Sequence, residues 1–149
     1  MIFERITKPA QATEIIKLCT FREEAERSIF ALQLLRLLEQ RPEILFIYAA
    51  FDKGPERLEV VGFVIAELME DRVWITQAYS DPEQPQSTIN NLFHRVKCWA
   101  VANDVYSIQA QTSRSVSALD RRFGFKVIAE VIEHRVDKHL LDLVPNKTE

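Results

Sequence analysis

Glycine is nearly missing from this sequence: Gly54, Gly62 and Gly124 are the three in 149 residues. That scarcity leaves no room for a Gly-x-Ser-x-Gly nucleophile turn, a phosphate-binding Gly-Lys-Ser/Thr loop or a flexible Gly/Ser linker. A basic excess is lacking too. The net charge of −3 argues against general nucleic-acid binding, which needs a cationic stripe or patch. Long hydrophobic runs are absent: stretches such as Ile44 to Phe51 are far too short to cross a bilayer, so no membrane partner is expected. Behind Glu4, Arg5 and Lys8 there is no apolar block of the kind a secretory signal carries. The two cysteines, Cys19 and Cys98, fall on separate predicted helices without motif spacing, and read as buried, inert thiols of a reducing compartment. His94, His134 and His139 include no His-x-x-x-His pair, so no metal is expected. These absences together suggest a cytoplasmic protein.

What is present is an ordinary globular composition, 47% apolar and 28% charged, at a length typical of one domain with a proper core. A single α/β domain over 1–149 is expected, with 137–149 as a partly ordered tail. Ile2 to Ile6 reads as a strand and Gln11 to Cys19 as a short helix with Ile15, Ile16 and Cys19 inward. Glu23 to Gln40 is a longer helix whose inner face is expected to follow Ala25, Ile29, Leu32, Leu35 or Arg36, and Leu38 or Glu39, helped by Phe30, Leu34 and Leu37. Arg41-Pro42 stops it. Ile44–Phe51, Leu58–Leu68 and Arg72–Tyr79 read as an antiparallel meander turning at Asp52-Lys53-Gly54-Pro55 and Met69-Glu70-Asp71. Ser87 to Asn103 is the cleanest helix, with Ser87 as N-cap. Val105 to Thr112 alternates as a strand, with Tyr106, Ile108 and Ala110 on one face. A short helix from Ser115 to Phe123, capped by Gly124, and a last strand from Lys126 to Val136 complete the order β, α, α, β, β, β, α, β, α, β. Such an order gives a mixed, mostly antiparallel sheet of about six to seven strands with helices on both faces.

This order, together with Ser117-Ala118-Leu119-Asp120-Arg121-Arg122-Phe123-Gly124-Phe125 and Ser80-Asp81-Pro82-Glu83, resembles the GNAT (Gcn5-related N-acetyltransferase) superfamily. The first segment is similar to the family's late Ala-Leu-Tyr-x-x-x-Gly-Phe helix end, and the second to the Val-Asp-Pro-Glu that leads into its cofactor loop. The resemblance implies transfer of an acyl group from acetyl-CoA, or another acyl-CoA, to an amine. It also implies that the cofactor's pyrophosphate rests on backbone N–H groups at a helix start, while pantetheine lies between two splayed strands. By that resemblance the cofactor-binding residues are Ala78, Tyr79, Gln86, Ser87, Thr88, Ser113 and Arg114, with backbone donors near Ala78 and Tyr79 polarising the thioester.

The family's loop is Arg/Gln-x-x-Gly-x-Gly/Ala, and this sequence departs from it. Pro85 stands where the basic residue belongs; Gln86, Thr88 and Asn90 stand where glycines sit. Proline also lacks an N–H donor. Asp120 occupies the position of the family's proton-donating tyrosine, and an ordinary ionised Asp has no proton to give at neutral pH. Glu67, if buried and raised in pKa, is the candidate general base; a water is the alternative. Arg114, Arg121, Arg122 and Lys126 form either an anion site or a solvated helix face around Asp120. Gln77, Gln109 and Gln111 either line the interstrand crevice or meet solvent. Two functions follow: a divergent acyl-CoA-dependent N-acyltransferase, or a non-catalytic GNAT-fold binding or assembly protein. For the second, Gln111-Thr112-Ser113-Arg114 and Arg121-Arg122-Phe123-Gly124-Phe125 are similar to degenerate GNAT-like proteins of tailed phages.

Overall fold

A computed structural model describes residues 1–21 and 23–110. Their elements are β1 (Ile2–Arg5), α1 (Pro9–Ile16), α2 (Glu24–Gln40), a 3₁₀ turn (Pro42–Ile44), β2 (Leu45–Lys53), β3 (Leu58–Met69), β4 (Arg72–Ser80), α3 (Gln86–Ala102) and β5 (Ile108–Ala110). The strands form a five-stranded sheet in the order β1-β2-β3-β4-β5. The first three pairings are antiparallel; β4 and β5, joined through α3, run parallel. These are the first eight helices and strands expected from the sequence. The helix and strand expected over 115–136 lie outside the described residues.

The central strands are apolar on both faces because both faces are covered. Six consecutive residues of β2, Leu45 to Ala50, are buried. On one face Ile47, Ala49, Phe63 and Ile65 pack with Ile15 and Ile16 of α1 and Leu34 and Leu38 of α2. On the other, Phe46, Tyr48, Val64, Ala66 and Val73 pack with Leu92, Val96 and Trp99 of α3. The Trp99 ring stacks on Phe46 at 5.1 Å.

Helix α2 buries part of the face its periodicity suggested and turns the rest outward. Leu34 and Leu38 are buried, with Phe30, Ala31, Leu35 and Leu37 partly so, whereas Ile29 and Leu32 are 58% and 60% exposed. The helix carries apolar residues around most of its circumference, so spacing alone does not select a face. Tertiary contacts do. Phe30 meets Phe21 at 5.2 Å, and Arg27 donates to the carbonyls of Ile16 and Lys17 at 2.8 and 3.2 Å. These contacts rotate α2 so that Ala25, Ile29 and Leu32 face out.

Two ends also differ from expectation. Helix α3 starts at Gln86 with Pro85, not Ser87, in the cap position. At its other end Asp104 takes φ 57°, Val105 N–H donates to Ala100 O at 2.9 Å and Asp104 N–H to Val101 O at 3.0 Å. That is a Schellman cap with aspartate where glycine is usual. Because the cap reverses the chain here, Val105 is buried but Tyr106 is 80% exposed, and the strand begins only at Ile108.

Candidate functional site

The candidate site is built along β4. Its register against β3 runs Met69↔Arg72, Leu68↔Val73, Glu67↔Trp74 and Ala66↔Ile75, then skips to Ile65↔Gln77, Val64↔Ala78 and Phe63↔Tyr79. Thr76 is therefore an extra residue, a β-bulge, and its Oγ1 donates to Ile65 O at 3.2 Å. A bulge of one residue reverses the side-chain alternation beyond it. Val73 and Ile75 face α3, but Gln77 and Tyr79 face α1 and α2 together with Glu67 and Trp74. The sequence has no glycine or proline to mark this bulge, and strict alternation would have put Tyr79 on the α3 side.

The β4–β5 ladder is described up to the residue before the bulge. Parallel pairing covers Val73↔Ile108, Trp74↔Gln109 and Ile75↔Ala110, continued at its start by Val73 N–H to Ser107 O at 2.8 Å. From Thr76 to Ser80, β4 is paired only to β3 among the described residues. The outer edge beside Ala78 and Tyr79 thus meets no strand within the described residues. Ala78 is exposed. The Tyr79 ring packs on Phe63 at 5.7 Å, and Gln77 Nε2 donates to Thr20 O at 3.4 Å, tying the strand to the α1–α2 connection.

Beyond β4, the chain reaches α3 through a loop whose backbone is largely occupied. Asp81 N–H donates to Val61 O, Glu83 N–H to the Asp81 carboxylate and Gln84 N–H to Asp81 O. Pro82 and Pro85 have no N–H. Thr88 N–H donates to Pro85 O at 3.0 Å. The Thr88 side chain points inward: it is 2% exposed, with Oγ1 near Gln84 Oε1 at 3.4 Å and Met1 Sδ at 3.8 Å. Starting α3 at Gln86 puts position 88 on the same inner stripe as Leu92 and Val96. The N–H groups of Gln86 and Ser87 are the first-turn donors left to meet an anion among the described residues. The side chain of Gln86 donates to Asn90 Oδ1 at 3.1 Å instead of reaching outward from the loop.

Close packing holds this corner. A Cβ on Gly62 would lie 3.2 Å from both Tyr79 O and Leu92 Cδ1 and 3.6 Å from Thr88 Cγ2. Glycine at 62 lets α3 descend onto the β3–β4 pair. Leu92 and Thr88 fill the space its side chain would have taken.

Glu67 is half-buried opposite Trp74, and burial raises its pKa above 4.5. It shares a face with Gln77, whose partner Ile65 is two residues along β3, roughly 7 Å at the strand rise. Ala78 pairs with Val64, about 10 Å along the same strand. The structure therefore gathers Glu67, Trp74 and Gln77 at the bulge, and Gln86 and Ser87 with the Ala78–Tyr79 edge at the far end of β4. Glu67 and the Ala78–Tyr79 backbone are not adjacent. Ser113 and Arg114, as well as Asp120 and the Arg121–Arg122 pair, lie outside the described residues.

Sequence reasoning missed one further pair. Cys98, expected to be buried, is exposed, and its Sγ lies 3.5 Å from Nε2 of His94 one turn earlier. The inner stripe of α3 runs through Val96, Trp99 and Ala100, which rotates position 98 to solvent. Cys19 is buried as expected, and burial pushes its thiol up to about 12. Among the described residues no helix is long and apolar enough to cross a membrane, and no group of three or more His, Cys, Asp or Glu is placed to hold a metal ion.

A meander ending in a bulged strand, a crossover helix and a short parallel partner, with helices on both faces, is the GNAT fold. Solved structures of this fold match over nearly the whole chain. The aminoglycoside N-acetyltransferase AAC(6')-Iy, in complex with a CoA-containing bisubstrate analogue, matches with a TM-score of 0.64 at 14% identity, covering 91% of this chain and 97% of its own. AAC(6')-Ih from Acinetobacter baumannii matches at 0.65 and 13%, over 91% and 97%. A predicted acetyltransferase from Clostridium acetobutylicum, solved with acetyl-CoA, matches at 0.64 and 11%, over 95% and 97%. No protein-family model and no curated protein sequence matches.

Proposed function

We propose that this chain is a divergent acyl-CoA-dependent N-acyltransferase. The observation that carries the reading is the bulge at Thr76, which turns the side chains beyond it and sets the outer backbone edge at Ala78–Tyr79 beside the start of α3. An acyl-CoA lying along that edge would hydrogen-bond to β4 backbone near Ala78 and Tyr79. Its pyrophosphate would meet the N–H groups of Gln86 and Ser87, favoured by the helix dipole. The bound CoA species in structural neighbours of the same fold support this class of donor.

In the reaction, the acceptor nitrogen bonds to the thioester carbonyl carbon, the C–S bond breaks, and CoA leaves as a thiolate that takes a proton from solvent. The amine's own proton passes to Glu67. Burial suits that carboxylate to the role by raising its proton affinity. Because Glu67 lies about 10 Å along β3 from the residue paired with Ala78, this route needs a water to carry the proton between amine and carboxylate.

A second reading rests on a specific observation. The helix start offers two free N–H groups, a proline cap and an inward Thr88 in place of a glycine cradle. That arrangement suits a GNAT-fold protein that binds or assembles without acyl transfer. Thermal unfolding with acetyl-CoA separates the two. Acetyl-CoA at 100 times its Kd would stabilise the fold by about 2.7 kcal/mol and raise the Tm with the logarithm of concentration. No shift at millimolar acetyl-CoA would leave only the non-catalytic reading.

A further inference from the structure

We propose that His94 and Cys98 form a two-point chelate for a divalent cation of the zinc and cobalt class on the solvent face of α3. The residues stand at i and i+4, so their side chains rise side by side from one face of the helix. Cys98 Sγ and His94 Nε2 are 3.5 Å apart. A tetrahedral ion with metal–nitrogen and metal–sulfur bonds of about 2.0 and 2.3 Å spans roughly 3.6 Å between two such donors. The observed separation already matches that bite. Imidazole nitrogen and thiolate sulfur are the donor types this class of ion prefers over carboxylate and water oxygen.

The helix beneath the pair is a firm frame, because Leu92, Val96 and Trp99 are buried on its opposite side. Both donors are exposed, so an ion reaches them without unfolding and keeps water in its remaining positions. The neighbouring cations are engaged elsewhere: Lys97 Nζ lies 4.8 Å from the centre of the Phe93 ring, and the Arg95 guanidinium 5.5 Å from that of Tyr48. On binding, the Cys98 thiol loses its proton to solvent and the sulfur takes the metal in its place; the neutral imidazole contributes its Nε2 lone pair. No electron is transferred.

The test compares alkylation of the full chain by iodoacetamide with and without excess Zn²⁺ at fixed neutral pH. Cys19, sequestered in the core, serves as the slow internal reference. Zinc should slow Cys98 alkylation about tenfold or more. Co²⁺ should give a thiolate-to-cobalt charge-transfer band that Cys98→Ser abolishes. His94→Gln keeps the thiol and should lose the zinc protection. Both positions are on the surface, so the variants should melt with the parent, and a thermal scan verifies this. Undiminished alkylation of the parent in zinc, or equal protection in His94→Gln, overturns the chelate.

Discussion

From Val73 to Ile75, β4 lies between β3 and β5; from Gln77 to Ser80 it is paired with β3 alone among the described residues. The first stretch is closed backbone whose side chains serve the core under α3. In the second, beyond the bulge, the side chains have swapped faces. One inserted residue, Thr76, separates the two. The two halves of a single strand thus send alternate side chains to opposite faces of the sheet without a change in the residue types usually associated with strands.

Removing Thr76 is the most severe way to break that contrast. A deletion restores strict alternation and would send Gln77 and Tyr79 to the α3 side, stripping Tyr79 from Phe63. Loss of that buried aromatic packing should cost about 3–5 kcal/mol, comparable to truncating a core aromatic. Chemical denaturation measures it. A deletant as stable as the parent would mean the bulge does not set the faces.

Glu67→Gln sharpens the contrast at the bulge itself. Turnover of an amine acceptor should fall by about 10²–10⁴-fold, the usual contribution of a general base. Stability should move the other way. Burial raises the Glu67 pKa, so between 4.5 and its folded value the native chain binds more protons than the unfolded one. Stability therefore falls as pH rises through that window. A glutamine stays neutral, removes this slope and leaves the variant more stable above it. Denaturation midpoints at pH 4 to 8 give the sign, and a steeper fall in the variant would contradict the burial account.

The smallest effect belongs to the closed end. Asp104 holds the left-handed cap that feeds β5, and its charge sits where the helix dipole is negative. Asp104→Gly relieves both and should stabilise the fold by about 0.5–1 kcal/mol. A lowered Tm would show that the aspartate contributes something beyond backbone conformation.

The sequence made the element order legible because apolar periodicity, Pro42, and the polar turns around Gly54 and Asp71 each punctuate the chain plainly. It did not reveal which side of α2 is buried, since Ile29 and Leu32 are as apolar as Leu34 and Leu38; contacts made by Phe21 and Arg27 decide. The bulge was invisible because Thr76 is a good strand residue in either register. Thr88 was expected to meet the cofactor just inside an N-cap at Ser87; the chain starts α3 a residue sooner, and the Thr88 side chain packs over Gly62. Cys98 is exposed because it stands off the inner stripe of Leu92, Val96, Trp99 and Ala100. Five of the seven cofactor-site residues, from Ala78 to Thr88, fall on the described strand and helix, and Ser113 and Arg114 fall beyond them.

Arg27 has a consequence for how the first two helices hold each other. Helix α1 ends at Ile16 without glycine, and the carbonyls of Ile16 and Lys17 accept from a guanidinium supplied by the first turn of α2, that of Ile16 also from Cys19 N–H. One long side chain thus fastens the C-terminus of the earlier helix to the later one, beside Thr20, whose carbonyl anchors Gln77 of β4.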